Sequence, residues 1–221
     1  MSSISQQFNT DGFYLCRSLF TADEMQDLKM HCVELLIEEN LSGVDVFPAD
    51  TCTENLRAIS CDQRFVKILK EIIGPQVDFL SVKTVIKSSK TSFPSPWHQD
   101  QLYWGGTTKI SAWLAIDDAT ISNGCLKIVP GSHLQLQTHS QAESGTAFPI
   151  RVPDEQVETM NQIDVEMKQG DILIFHDMLL HSSYPNESGM DRWSLIPTYR
   201  DRTLEDDSSL NENTWKNPVE I

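Results

Sequence analysis

The feature that most limits what this chain can fold into is a change of period at Gly74-Pro75. Before it, apolar residues recur at helical spacing; after it, they come in short runs, several of them alternating, and few architectures accommodate that order. Upstream, Thr21 and Glu24 form a capping box, with Phe20 and Met25 placed for a hydrophobic staple. Met25, Leu28, Cys32, Leu35 and Leu36 follow at helical spacing, leaving acids and Lys29 outward. A second helix is predicted from Asp62 through Phe65, Val66, Leu69, Ile72 and Ile73, where Gly74-Pro75 stops it. Both read as packing helices.

Downstream, β runs are predicted at 77–87, 108–117, 125–129, 163–168, 171–176 and 193–200. Ile110, Ala112, Leu114 and Ile116 share one strand face and Ser111, Trp113 and Ala115 the other. Such a strand has both faces covered, or one face lining a pocket. The expected class is α+β, mainly β, with N-terminal helices buttressing a sandwich or barrel. At 221 residues the chain is expected to be one domain: a helical part at about 1–75, a β core at about 76–200 and an acidic tail, 201–221. The tail, especially 205–213, is expected to fray. Segment 134–162 reads as a long excursion of the kind used for lids and substrate loops.

Charge decides the partner class. Thirty-two acidic residues against 17 basic ones give a net charge of −15, which argues against nucleic acid and against an anionic membrane surface. The N-terminus lacks the basic and apolar regions of a secretory leader, and no run is long enough to span a bilayer. Five scattered cysteines without a CxxC pair suit reduced thiols. A cytoplasmic protein, monomer or homodimer, acting on a small molecule is the expectation.

The most informative local text is Pro96-Trp97-His98-Gln99-Asp100. In an extended chain His98 and Asp100 project to the same side, giving an imidazole and a carboxylate at one point. That is two-thirds of a two-His-one-carboxylate metal set, and an HxD tripeptide alone is common. The third ligand would be one of His133, His139, His176 and His181. His181 stands near a strand-to-turn transition. His176 continues an apolar strand and reads as a core or wall residue, and His139 sits in polar text.

Taken together, several motifs make a resemblance. His98-Gln99-Asp100 is followed by Asn123-Gly124-Cys125-Leu126 and Pro130-Gly131-Ser132-His133. Then come Gly170-Asp171 with Phe175, and His181, Ser183, Asn186, Ser188 and Arg192, while Asp11-Gly12-Phe13 stands at the start. From about residue 8 to 200 the chain resembles the phytanoyl-CoA dioxygenase family of Fe(II)- and 2-oxoglutarate-dependent oxygenases. The resemblance implies a double-stranded β-helix (jelly-roll, cupin-like) core, Fe(II) held by His98, Asp100 and His181, and 2-oxoglutarate as cosubstrate with O2. It also implies that Arg192 grips the far carboxylate of 2-oxoglutarate, a task that suits a rigid guanidinium fork. Related halogenases have a small residue where this chain has Asp100, so hydroxylation, or a desaturation or cyclisation, is expected over chlorination.

Around this set, Ser194 shares the strand face of Arg192, Ser183 follows His181, and Lys87 has the strand parity of Lys83, so each is a candidate for the cosubstrate side. Tyr103, Trp104 and Trp113 are candidate pocket walls, with core packing as the alternative use. His133 is either a pocket residue or a hydrogen-bonded turn residue. Two other functions compete: a non-catalytic jelly-roll binding or regulatory module, and a cupin-type metalloenzyme that does not use 2-oxoglutarate. The absence of an obvious cationic cluster disfavours a CoA ester and points to a small metabolite or biosynthetic intermediate.

Overall fold

The computed structural model describes residues 3–41, 43–88, 94–141 and 148–221. Its N-terminal part runs α1 (Ile4–Asp11), β1 (Phe13–Cys16), α2 (Ala22–Glu38), β2 (Val44–Pro48), α3 (Glu54–Ser60) and α4 (Gln63–Ile73). The predicted capping box is present: the Thr21 hydroxyl accepts from the Glu24 amide, and the Glu24 carboxylate from the Thr21 amide. Asp62 caps α4 and Gly74 ends it, as the sequence predicts. Helices α1 and α3 were not foreseen, although Ser3 and Thr53 cap them by the same side-chain chemistry.

The β body follows as β3 (Val77–Lys87), β4 (Ser95–His98), a one-turn α5 (Gln101–Trp104), β5 (Lys109–Ala115), β6 (Leu126–Ile128), β7 (Ser140–Gln141) and β8 (Ile150–Arg151). The chain ends with α6 (Asp154–Val157), β9 (Ile163–Val165), β10 (Ile172–His176), β11 (His181–Ser183), β12 (Arg192–Asp201) and β13 (Val219–Glu220). A seven-stranded sheet has the order β1-β10-β5-β12-β3-β13, with β2 also on β3, and a four-stranded sheet has the order β4-β11-β6-β9. All pairings are antiparallel. Trp113, Ala115, Leu173 and Phe175 of the large sheet pack with Leu126, Ile128 and Val165 of the small one, so the sheets face each other as a jelly roll. Ile110, Ala112 and Leu114 point the other way, into a second core with Met25, Leu28, Cys32 and Leu35 of α2. The alternation read from 110–116 therefore separates a helix-facing side from a sandwich-facing side. Each such fully buried side chain contributes about 1.5–3 kcal/mol, so Leu28→Ala alone would loosen α2.

Two expectations need correction. The tail does not fray as a unit: Trp215 is buried with its Nε1 donating to Ser81 Oγ at 2.9 Å, and β13 pairs with β3. Aromatic burial and a carboxylate satisfied by buried cations hold it, and an acid count cannot reveal either. The excursion 134–162 contains β7, β8 and α6 rather than irregular chain only, while its residues 142–147 lie outside the described ones.

Candidate metal centre

Antiparallel pairing builds the centre. His181 of β11 stands directly opposite His98 of β4, so both imidazoles leave the same face, with ring centroids 4.1 Å apart. β4 ends at His98, and Asp100 already has helical dihedrals (φ −62°, ψ −31°) ahead of α5. The convergence of His98 and Asp100 is thus made by a strand running into a helical turn, not by one extended strand. Gln99, buried between them, donates to the carbonyls of Met178 and Gln135 and accepts from the Gln137 amide. Asp100 Oδ1 lies 3.5 Å from His98 Nε2 and 3.9 Å from His181 Nε2.

The second nitrogen of each ring fixes its role. His98 Nδ1 lies 2.8 Å from the Pro96 carbonyl and His181 Nδ1 2.8 Å from the Leu179 carbonyl. A carbonyl only accepts, so each Nδ1 carries the proton and each Nε2 keeps its lone pair for the point that it shares with the Asp100 carboxylate. Burial, helped by the neighbouring His98, lowers His181 to about 4, which favours the neutral, ligating ring. Burial alone would raise Asp100, but His181 and His98 outweigh it and hold the carboxyl at about 2, ionised. The donor atoms lie within 4.8 Å of one another. The set fits a two-histidine, one-carboxylate facial triad, the arrangement that holds non-haem iron(II) with open positions.

The centre opens into a cavity of about 750 Å³ that also receives Lys87, Tyr103, Trp104, Trp113, Ser183 and Arg192. Arg192 is buried at the start of β12, opposite Lys87 on β3. Its Nη1 donates to Ser194 Oγ at 3.3 Å, its guanidinium lies 4.8 Å above the Trp113 ring, and its buried Nε has no partner among the described residues. Lys87 Nζ donates to Ser183 Oγ at 2.6 Å and to the Tyr184 carbonyl. Gly124 lets it pass: φ is +95°, and a Cβ there would meet Lys87 Cδ at 2.4 Å and the Tyr184 carbonyl oxygen at 2.9 Å. Burial, reinforced by Arg192, lowers Lys87 to about 7.

Other candidates fall elsewhere. The geometry supports the turn reading of His133, which lies 3.2 Å from the Asn9 carbonyl and against the ring of His176. His176 belongs to the large sheet and His181 to the small one, so the two leave different layers of the sandwich. His139, though set in polar text, bonds the Gln137 carbonyl through Nδ1 and has its Nε2 buried. The sequence reading missed Phe148, whose ring lies 4.8 Å from that of His98, and the walls Leu36, Leu41, Val44, Phe175 and Ile196. Ile196 was reachable by extending the face of Arg192 and Ser194 two residues further; the rest carry no local signal.

The family model for phytanoyl-CoA dioxygenase (PhyH) matches residues 8–194. The chain belongs to the phytanoyl-CoA dioxygenase family. The phytanoyl-CoA dioxygenase domain-containing protein 1 homolog of Dictyostelium discoideum is 33% identical over 111 residues, covering 47% of this chain and 40% of that protein. The peroxisomal phytanoyl-CoA dioxygenase of Bos taurus is 26% identical over 196 residues, covering 83% and 57%. The chain thus spans about half the length of these relatives. This member of the phytanoyl-CoA dioxygenase family shares its fold with the epimerase SnoN, solved with Fe3+, alpha ketoglutarate and nogalamycin RO, at a TM-score of 0.76 and 21% identity over 90% of this chain and 83% of that one. Among the described residues no helix is long and apolar enough to cross a membrane.

Proposed function

We propose that the protein is an Fe(II)- and 2-oxoglutarate-dependent dioxygenase that hydroxylates an unactivated C–H bond of a small metabolite or biosynthetic intermediate. The observation that carries this reading is the buried guanidinium of Arg192, with an uncommitted Nε, in the same cavity as the His98–Asp100–His181 donors. Fe(II) bound there, with 2-oxoglutarate and dioxygen, would supply the oxidising power for oxygen insertion, releasing succinate and carbon dioxide. The chain's own part is placement. His98, Asp100 and His181 hold one face of the metal position. Arg192, steadied by the Ser194 hydroxyl, and the Lys87–Ser183 pair offer donors to the distal carboxylate of a dianion. Trp113, Phe148 and Phe175 line the remaining space and exclude water.

Anaerobic titration with Fe(II) and 2-oxoglutarate should produce metal-to-ligand charge-transfer absorbance, absent in His181→Ala. No band, together with no succinate formed in air, would overturn the reading. Screening a metabolite panel by mass spectrometry for gain of one oxygen coupled to succinate then identifies the substrate.

A further inference from the structure

The family match ends at residue 194, yet the segment that follows the ligand Asp100 is held from behind by residues well past it. Helix α5 has one turn, Gln101–Trp104, too short to persist alone, and leads into Gly105 and Gly106 with φ of +62° and +68°. Two consecutive glycines at positive φ make a swivel unless something fixes them. Residues 206–215 do so. Asp206 Oδ1 accepts from the Thr107 amide at 2.9 Å and from Lys109 Nζ at 2.9 Å, and Ser208 Oγ donates to the Trp104 carbonyl at 2.8 Å. Lys109 Nζ donates in turn to the Thr107 carbonyl at 2.5 Å. Trp215 stacks edge-on against Trp104 with centroids 5.6 Å apart, behind the wall that Trp104 presents to the cavity. The fit is close at Gly106, where a Cβ would lie 2.0 Å from Asp206 Oδ1 and 2.7 Å from the Ser208 nitrogen.

We propose that the C-terminal segment 206–215 is a positioning clamp for the metal centre: Asp206, Ser208 and Trp215 immobilise the Gln101–Thr107 turn and thereby fix where Asp100 and Trp104 stand. These are positioning residues, acting through the turn and not on any reacting atom. The inference rests on the metal reading above. It places a determinant of metal affinity in a part of the chain that the family match does not include.

The test uses the full chain in three forms, Ser208→Ala, Trp215→Ala and Trp215→Phe, and avoids Asp206, whose loss would strand the buried Lys109. Hydrogen exchange is read on the metal-free protein. Amides of 101–107 should exchange about tenfold faster in Trp215→Ala, while β12 and β3 around Arg192 stay protected. Anaerobic Fe(II) affinity, measured where urea curves show each variant folded, should fall about tenfold in Trp215→Ala and less in Ser208→Ala. Trp215→Phe, which keeps a smaller ring against Trp104 and near Lys109 Nζ but loses the donor to Ser81, should restore most of it. Unchanged exchange at 101–107 overturns the clamp. Faster exchange with unchanged Fe(II) affinity also overturns it, reducing the tail to a stabilising element. If the unaltered protein takes up no Fe(II), the metal reading falls and the exchange result alone decides the clamp.

Discussion

Lys109 and Arg192 are cations buried to the same degree, 0% and 3% exposed, and the fold treats them in opposite ways. Lys109 Nζ meets a carboxylate, Asp206, at 2.9 Å, and two backbone carbonyls complete its donors. Asp206 in turn takes Arg200 Nη1 at 2.7 Å. Arg192 meets one neutral hydroxyl and an aromatic face, with its Nε left over. The carboxylate whose field reaches it, Asp117, is engaged by Lys29 at 2.7 Å and by the Trp193 amide. A buried charge costs several kcal/mol when it is not paired, so the first cation is structure completed within the chain and the second, on the function proposed above, is a site completed from outside. The same contrast explains why a net charge of −15 is compatible with a dianionic cosubstrate. The acids would repel it at long range, and the desolvated guanidinium of the proposed site would attract it at short range, where screening is weakest.

The largest effect should follow from breaking the open member of this pair. Arg192→Ala should weaken 2-oxoglutarate binding by about 2–5 kcal/mol, roughly thirtyfold to several-thousandfold, without lowering the urea midpoint. A change under about threefold would remove Arg192 from the cosubstrate site. Breaking the closed member should do the reverse. Lys109→Met should cost about 3 kcal/mol of stability, the low end for a broken buried pair because Arg200 still faces Asp206. An unaltered urea midpoint would show that the pair is not the structural partner of this contrast.

How much of this was readable in advance follows the range of the interactions. The capping box at Thr21, the stop at Gly74 and the alternation at 110–116 are written within a few residues, and they appear in the fold as the sequence predicts. His98, Asp100, His181 and Arg192 were nameable through the family resemblance that their motifs make together; locally, an HxD tripeptide is common and four histidines stood open for the third place. The reason given for His98 and Asp100, strand parity, does not hold beyond His98. Lys109 and Asp206 are 97 residues apart, and nothing local to either announces the other. Phe148 reaches His98 across a long excursion, and Leu36 and Val44 bring the helical third of the chain to the cavity that the β body alone was expected to form.

Lys87 stands between the two extremes, and pH separates its contributions. It donates to Ser183 and to the Tyr184 carbonyl, both neutral, while burial and Arg192 lower it to about 7. In the ligand-free protein the charged form is disfavoured, so the penalty is full below pH 7 and fades as pH rises towards the ordinary lysine value of about 10.4. Stability should therefore increase with pH across that interval, and Lys87→Met should flatten the rise. A bound dianion reverses the preference, so 2-oxoglutarate affinity should decline above about pH 7 in the parent protein and change less in Lys87→Met. Chemical denaturation and equilibrium titration at matched ionic strength read the two arms separately. A pH-independent affinity would place Lys87 with Lys109, as a residue satisfied within the chain.

The smallest effect sharpens the assignment at Arg192 itself. Among the described residues Ser194 Oγ is its one hydrogen-bond acceptor, at a long 3.3 Å, and the hydroxyl is fully buried on the same strand face. Losing a neutral hydrogen bond of this kind costs about 0.5–1 kcal/mol, so Ser194→Ala should weaken 2-oxoglutarate binding only about two- to fivefold. The remaining guanidinium donors still face the cavity in that variant, and the charge that attracts the dianion is untouched. A loss as large as that of Arg192→Ala would mean that the hydroxyl, not the guanidinium, holds the carboxylate. Arg192 would then keep only Ser194 and the Trp113 face as partners among the described residues, with no counter-charge to offset the cost of its burial, so the two variants must differ in the predicted order if the contrast with Lys109 is correct.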